Sequence, residues 1–419
     1  MLLPRRIGLV STRFAGTDGV SLESRKWTTV LEALGHHCFY FAGECDRPAQ
    51  VSHVAPEAHF THPDIWEIYT IAFSQPLRPP EMTRRIRELQ AHLKNELAAF
   101  VRAFDIELLL VQNALAIPMN VPLGLALTEF IAETGFPTLA HHHDFFWERQ
   151  RFLTNCIWDY LNMAFPPHLP SIRHVVINSS AANQLSLRTG ISSTLIPNVM
   201  DFENPPPPPD DYAAGVRAGL GLAPKEALIL QPTRVVARKG IEHAIELVKR
   251  LEVPARLVIS HSGGDEGNGY ETHLRTFAGL FDVPVQFESD LIREERGVTR
   301  DGRKIYALAD VYQSADLVTY PSALEGFGNA FLEAVYYRRP LVVNNYSIFA
   351  TDIQPKGFQV IAFDGFITPE TVLRAREILQ QPELAAPMVE TNYRLATKHY
   401  SFAVLRRQLE TLLAQHFGE

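Results

Sequence analysis

The chain has 419 residues, 46% of them apolar and 21% charged, the make-up of a globular protein with more than one core. A formal net charge of −8 excludes a general nucleic-acid binder, which is ordinarily basic. No apolar run approaches the roughly 18 residues of a membrane span. Three cysteines, Cys38, Cys45 and Cys156, form no C-x-x-C pair, which excludes a disulfide framework and fits a reducing, cytoplasmic setting.

The opening "MLLPR" is too short and too soon broken by Pro4 for a signal peptide, and "RIGLVST" reads as a first strand. "SLESRKWTTVLEALG" reads as a helix ending at Gly35, and "HHCFYFAG" as the next strand. The stretch 81–104 sets Ile86, Leu89, Leu93, Leu97 and Val101 on one helical face. A strand follows at once, which predicts a sheet-packing helix; the arginines of its outer face leave peripheral membrane contact open. "IELLLVQN", "FPTLAHHH" and "HVVINSS" are further strands with helical stretches between them. This β-then-α rhythm predicts a parallel sheet covered by helices.

At 204–212, "NPPPPPDDY" favours an extended polyproline segment and reads as a linker. The rhythm then restarts with "ALILQPT", "ARLVISH", "PVQFES", "DLVTYPS" and "PLVVNN" as strands, and 292–304 reads as an exposed loop or hairpin. The expected organisation is a first Rossmann-like domain over 1–203, the linker 204–212, a second Rossmann-like domain over 213–390 and a helical segment over 391–419.

The strongest chemical signal is "SALEGFGNAFLEAVYYRRP", 322–340. A strand leads into Glu325-Gly326-Phe327-Gly328-Asn329, and a helix then runs to Pro340. The glycines permit a sharp turn and close approach of a ligand to the backbone. The helix start offers N–H groups and a positive dipole end, suited to a diphosphate. Glu325 and Glu333 can project towards the same cleft, where carboxylates serve as acceptors for sugar or ribose hydroxyls. The plain alternative is a glycine turn with two solvent-facing glutamates. Earlier, Arg234 and Lys239-Gly240 sit at a strand-to-helix junction, where two cations can converge on a diphosphate leaving group. Taken alone, they are equally surface basic residues.

In "LAHHHDFFWERQR", strand alternation puts His141 and His143 on one face and His142 on the other. A metal would need further ligands, and no second Cys or His cluster declares itself, so no metal is expected. Arg149 and Arg151 can meet a phosphate or carboxylate, or pair with Glu148 and other surface acids.

Strand-E-G-F-G-x4-E-helix, preceded by R-x4-K-G, resembles the donor domain of retaining GT-B glycosyltransferases, above all glycosyltransferase family 4. "GTDGVSLESRKWTTVLEALGHH" resembles the first glycine loop and helix of that family, and "FPTLAHHHD" the strand that ends in His-Asp. "VVINSSAANQL" and "LIPNVMD" resemble the segments leading to the second domain. The resemblance implies two Rossmann-like domains facing each other across a cleft, with the C-terminal helix returning to the first. It implies hexose transfer from a sugar nucleotide of the UDP-glucose or GDP-mannose type, by front-face substitution, with no tightly bound cofactor and no metal required. Arg234 and Lys239 would bind the diphosphate. Glu325, Gly326, Phe327, Gly328 and Asn329 would hold sugar and phosphates, Glu333 the ribose, and Gly19 the diphosphate from the other domain. His143 would act beside the reactive carbon. Asp18, Asp144 and Arg149 are candidates for the acceptor, a small anionic molecule on the strength of the local charge. Two departures stand out: Asp18-Gly19 replaces a glycine pair, and "NNYSIFATDI" replaces a Gly-Gly after "PLVV". The competing readings are a non-catalytic sugar-nucleotide binder and an epimerase on the same fold. A nicotinamide oxidoreductase would need G-x-G-x-x-G after the first strand, which "STRFAGTDGVSLES" lacks.

Overall fold

The computed structural model describes residues 3–16, 18–263 and 269–418, so Thr17 of the first loop lies outside the described residues. The chain divides into two compact units: one of residues up to Val199 together with those from Phe402 onward, the other of Met200–Ser401.

Among the described residues the first unit is built on seven strands, β1 Arg6–Val10, β2 His37–Ala42, β3 Ser52–Val54, β4 Leu108–Gln112, β5 Thr138–His142, β6 Ile172–Val176 and β7 Ser193–Leu195. They lie in the order β3-β2-β1-β4-β5-β6-β7, every pair parallel. All five residues of β4 are buried, as expected where helices cover both faces of a parallel sheet. The strand order reverses between β1 and β4, so the loops at their carboxyl ends diverge and leave a crevice.

Helix α1, Gly19–Ala33, starts at Asp18, whose carboxylate accepts from the Val20 and Ser21 N–H groups. It lays Trp27, Val30 and Leu31 on one sheet face, beside Leu405, Leu409, Leu412 and Leu413 of the C-terminal helix Phe402–Phe417. Each of those leucines contributes about 2 kcal/mol by burial, so the C-terminal helix is part of the first unit's core. On the other face, α2 (Pro80–Ala103) and α3 (Val121–Thr134) contribute Leu93, Leu97 and Phe100 with Leu123, Leu127 and Ile131.

Among the described residues the second unit holds a six-stranded parallel sheet of β8 Ala227–Gln231, β9 Ala255–Ile259, β10 Val285–Phe287, β11 Leu317–Tyr320, β12 Leu341–Asn344 and β13 Ile361–Phe363, in the order β10-β9-β8-β11-β12-β13. Helix α4, Ile241–Leu251, buries Ile241, Ile245, Leu247, Val248 and Leu251, and α5, Asn329–Tyr336, buries Phe331, Leu332 and Val335.

The unit boundaries differ from those expected. The proline stretch 204–212 belongs to the second unit. Gln313 donates to the Pro207 carbonyl at 2.8 Å, Tyr336 donates to the Asn204 carbonyl at 2.8 Å, and Asp210 pairs with Arg296. Residues 391–401 also belong there, in the helix Ala386–Tyr400, and only the residues beyond Ser401 join the first unit. The stretch 292–304, expected as an exposed loop or hairpin, contributes to a small three-stranded sheet of Ile292–Arg293, Gly297–Val298 and Lys304–Ala307. The edge strands β3, β7 and β13 were not expected; each has three residues, too few for a periodicity to show.

Candidate functional site

In the second unit β8 and β11 are neighbours, so the turns after their carboxyl ends meet. Gly240 makes that meeting close. Its φ is +57°, and a Cβ there would lie 2.7 Å from the Pro321 carbonyl oxygen. Lys239, the residue before it, is thereby brought to Glu325 and pairs with it; the two side chains are 10% and 9% exposed. Arg238 adds a second cation 3.5 Å from the same carboxylate. Burial pulls the Lys239 ammonium below its ordinary pKa. Burial alone would push the Glu325 carboxyl up, but the Lys239 and Arg238 charges outweigh it and hold the group below its ordinary value. Each charge thus offsets the burial of the other. Arg234 is exposed on the same turn and sits close enough to influence His261, whose imidazole is pushed down to about 4 by burial and by Arg234 and Lys239.

The glycine turn is built to hold a single shape. Gly328 caps α5 with φ +132°, and a Cβ there would meet the Tyr346 hydroxyl at 2.6 Å. That hydroxyl donates to the Phe327 carbonyl at 2.7 Å, while Phe327 itself is buried. Among the described residues no side chain caps the helix at Gly328, and a helix start carries the positive end of the helix dipole, which favours anions. Tyr312, fully buried and stacked on Tyr337, donates to Glu333 at 2.8 Å and fixes that carboxylate one turn into α5. Arg234, Lys239, Glu325, the residues 326–329 and Glu333 thus lie on the turns and the one helix that follow β8 and β11.

The first unit gathers a different chemistry at the ends of β4 and β5. His141 is buried, stacked on Trp27 with ring centres 4.3 Å apart, and its Nδ1 lies 2.9 Å from Gln112 Oε1. His143 Nε2 lies 3.1 Å from the same oxygen, so one amide holds both rings. His142 points the other way, to His174 Nδ1 at 2.9 Å. Burial pushes all four imidazoles down, His143 and His174 to about 4, so they are neutral at neutral pH. Asn113, with φ +60°, accepts from the His143 backbone N–H at 3.0 Å and donates to Asp144 at 3.0 Å, which pins the turn after β5. Asp144 pairs with Arg149, one of the pairings left open for that arginine by the sequence. Glu148 instead accepts from the Phe145 N–H at 2.7 Å. Asp18 pairs with Arg13 at 3.2 Å, and Gly19 begins α1 in open space.

A cavity of about 160 Å³ opens beside these residues, lined among others by Arg13, Asp18, Gln112, Asn113, Arg149 and Arg151. Sequence reasoning passed over Arg13, Gln112, Asn113, Arg238, Tyr312 and Tyr346. The last lies in the very segment that departs from the family pattern. Nothing in a local pattern marks a tyrosine that reaches 19 residues back to a carbonyl. Among the described residues no group of three or more His, Cys, Asp or Glu is placed to hold a metal ion, and no helix is long and apolar enough to cross a membrane.

No protein-family profile matches the chain. It is 30% identical over 444 aligned positions to the mannosylglucosylglycerate synthase of Thermotoga maritima, covering 98% of this chain and 99% of that one. It is 31% identical over 390 to the enzyme of the same name from Petrotoga mobilis, covering 85% and 86%. Among solved structures, the sucrose-phosphate synthase of Thermosynechococcus elongatus superimposes with a TM-score of 0.68 at 16% identity, over 99% of both chains. The Anabaena HepE protein in complex with UDP-glucose gives 0.66 at 11%, over 98% of this chain and 100% of that one. With the parallel sheets of both units, these likenesses establish a GT-B glycosyltransferase fold, and by its full-length relatives the chain belongs to the mannosylglucosylglycerate synthase family.

Proposed function

We propose that the chain transfers a hexosyl group from a sugar nucleotide to a hydroxyl of a small anionic acceptor, with the configuration of the transferred carbon retained. The names of its relatives point to a mannosyl group and to a glucosylglycerate acceptor, and hence to a donor of the GDP-mannose type. The observation that carries the reading is the buried Lys239–Glu325 pair beside an uncapped glycine turn at the start of α5.

In this reading the bond from the anomeric carbon to the diphosphate breaks and its electron pair goes to the phosphate oxygen. The acceptor oxygen bonds to the same carbon from the same side, and its proton passes to that phosphate oxygen. Arg234, Lys239 and the α5 N–H groups stabilise the charge that grows on the leaving group. Glu325 orients the sugar, and Glu333, held by Tyr312, takes the ribose hydroxyls. Those cations meet the diphosphate charge without a metal ion. His143, neutral above pH about 4, serves as a hydrogen-bonding group rather than as a charge. The unpaired cysteines support a cytoplasmic setting.

The test is a panel of sugar nucleotides, each with and without glucosylglycerate and with and without EDTA. Nucleoside diphosphate release is followed together with the anomeric configuration of the product by NMR. The reading expects acceptor-dependent release, a product that keeps the α configuration of the donor, and no effect of EDTA. Binding of a sugar nucleotide with no turnover would sink it in favour of a non-catalytic binder.

A further inference from the structure

His261 follows β9, the strand that pairs with β8 on the side away from β11. The register sets Gln231 opposite Ile259, and the two chains stay laced beyond their strand ends. The Ser260 N–H donates to the Gln231 carbonyl at 3.3 Å, and the Val235 N–H donates to the Ser262 carbonyl at 3.2 Å. His261 lies between those two bonds on one turn, as Arg234 does on the facing one. Arg234 and Lys239 are near enough to act on its ring, and with burial they push the imidazole down to about 4, so it is neutral at neutral pH.

A neutral imidazole has a single N–H, and Ser260 decides which nitrogen carries it. The Ser260 side chain is 2% exposed, and its hydroxyl lies 2.7 Å from His261 Nδ1, its one hydrogen-bond partner among the described residues. A proton on Nδ1 would leave the hydroxyl proton buried without an acceptor, which is costly. The hydroxyl therefore donates to Nδ1, and the ring proton sits on Nε2. Nε2 has no hydrogen-bond partner among the described residues, and the residue is partly exposed. A neutral N–H beside two cations suits an anion. It adds a hydrogen bond to a phosphate oxygen without adding a charge for Arg234 and Lys239 to repel.

Resting on the reading of the turns after β8 and β11 as the donor site, we propose that His261 is a further donor-binding residue. Its Nε2–H donates to a diphosphate oxygen of the sugar nucleotide, and Ser260 is the positioning residue that keeps the proton on that nitrogen. The diphosphate is then met from the end of a third strand, β9. The three strand ends supply different things: charge from Arg234 and Lys239 after β8, backbone N–H groups from the glycine turn after β11, and one oriented neutral donor after β9.

The experiment is calorimetric titration of the full chain with three probes: GDP or UDP, whichever the wild type binds more tightly, inorganic diphosphate, and the matching nucleoside. His261→Phe is expected to weaken both diphosphates about tenfold, the effect of one hydrogen bond to a charged group, and to leave the nucleoside unchanged. His261→Gln, whose amide nitrogen can stand where Nε2 stands, is expected to keep most of the affinity. Ser260→Ala should cost less than His261→Phe, since the ring stays and only the place of its proton is freed. NMR of the 15N-histidine-labelled wild type gives a readout that does not depend on the folding of the Phe variant. The resonances that His261→Gln removes should report a protonated Nε2 and a bare Nδ1, and Nε2 should shift as the nucleoside diphosphate binds. Affinity for the diphosphates unchanged in His261→Phe, a loss shared equally by the nucleoside, or an Nε2 resonance that stays in place overturns the assignment. The two proposals fail in different ways. A wild type that binds neither GDP nor UDP loses the donor site itself. One that binds them and transfers sugar, with His261→Phe binding as tightly, loses only this contact.

Discussion

The two units share a strand order, third-second-first-fourth-fifth-sixth, yet they furnish the same end of the sheet in opposite ways. The second places paired charges on a glycine turn: Lys239 and Arg238 on Glu325, with Tyr346 holding the loop. The first places uncharged imidazoles in a stack under Trp27, with its charges at the rim of a cavity. The fold supplies a crevice in both; the charge state of the residues at the strand ends decides what the crevice takes. A diphosphate calls for fixed positive charge and bare N–H groups. A sugar hydroxyl calls for neutral, oriented hydrogen-bond partners.

The sharpest way to break the contrast is to neutralise the second unit's pair. Lys239→Met and Glu325→Gln should each lower turnover by roughly two to three orders of magnitude, the loss typical of removing a group that meets developing charge. Each should also cost about 3 kcal/mol in denaturant unfolding, because the partner is left buried and uncompensated. The double substitution should recover stability but not turnover. Recovery of both would make the pair purely structural.

The first unit's histidines give the next effect. His143 and His174 fall from the ordinary 6.5 to about 4 on folding, and His141 and His142 fall in the same direction. The unfolded chain therefore binds more protons between those values. The stability they confer is present in full above pH 6.5 and is lost as pH falls towards 4, at up to about 1.4 kcal/mol per pH unit for each ring. Hydrogen exchange at pH 5 and pH 7 should show protection falling first in the first unit. Earlier loss in the second would contradict the assignment of neutral rings.

Gly328→Ala should cost about 1–3 kcal/mol, since an L residue is strained at φ +132° and its Cβ meets the Tyr346 hydroxyl. In a Tyr346→Phe background, which has already lost the hydroxyl and its bond to the Phe327 carbonyl, the same glycine change should cost less by the part due to crowding, a difference that thermal unfolding measures. The smallest change, Tyr312→Phe, removes one hydrogen bond to Glu333. It should raise the donor KM several-fold, about 1 kcal/mol, with kcat little altered. An effect on kcat alone would remove Tyr312 from a ribose-positioning role.

Much of this was legible in the sequence, and the reasons differ by element. The strands β4 and β5 announce themselves as short runs buried on both faces of a parallel sheet, and helix α2 because burial of one face imposes a period. Lys239, Glu325 and Glu333 were legible because a glycine turn before a helix has few uses. The pairing of Lys239 with Glu325, 86 residues apart, was not, since it depends on β8 and β11 being neighbours. The proline stretch misled because its composition describes its stiffness and not its attachments. Pro207 and Asn204 are held by Gln313 and Tyr336, more than 100 residues away. Gln112 and Asn113 carry no motif, and they matter only because parallel register sets Gln112 beside His141.

The chain leaves the first unit after Val199 and re-enters it at Phe402, and Met200 and Ser401 form a backbone bridge at these two crossings. The second unit is therefore an uninterrupted stretch inserted into an interrupted one. The second unit holds all of its core within residues 200–401, whereas the first needs the leucines of Phe402–Phe417 as well. The first unit, begun earlier, must wait with the sheet face under Trp27 uncovered until Phe402–Phe417 arrives. The unit that begins first in the sequence is thus the one whose core is completed last, and it is the one that carries the buried histidines.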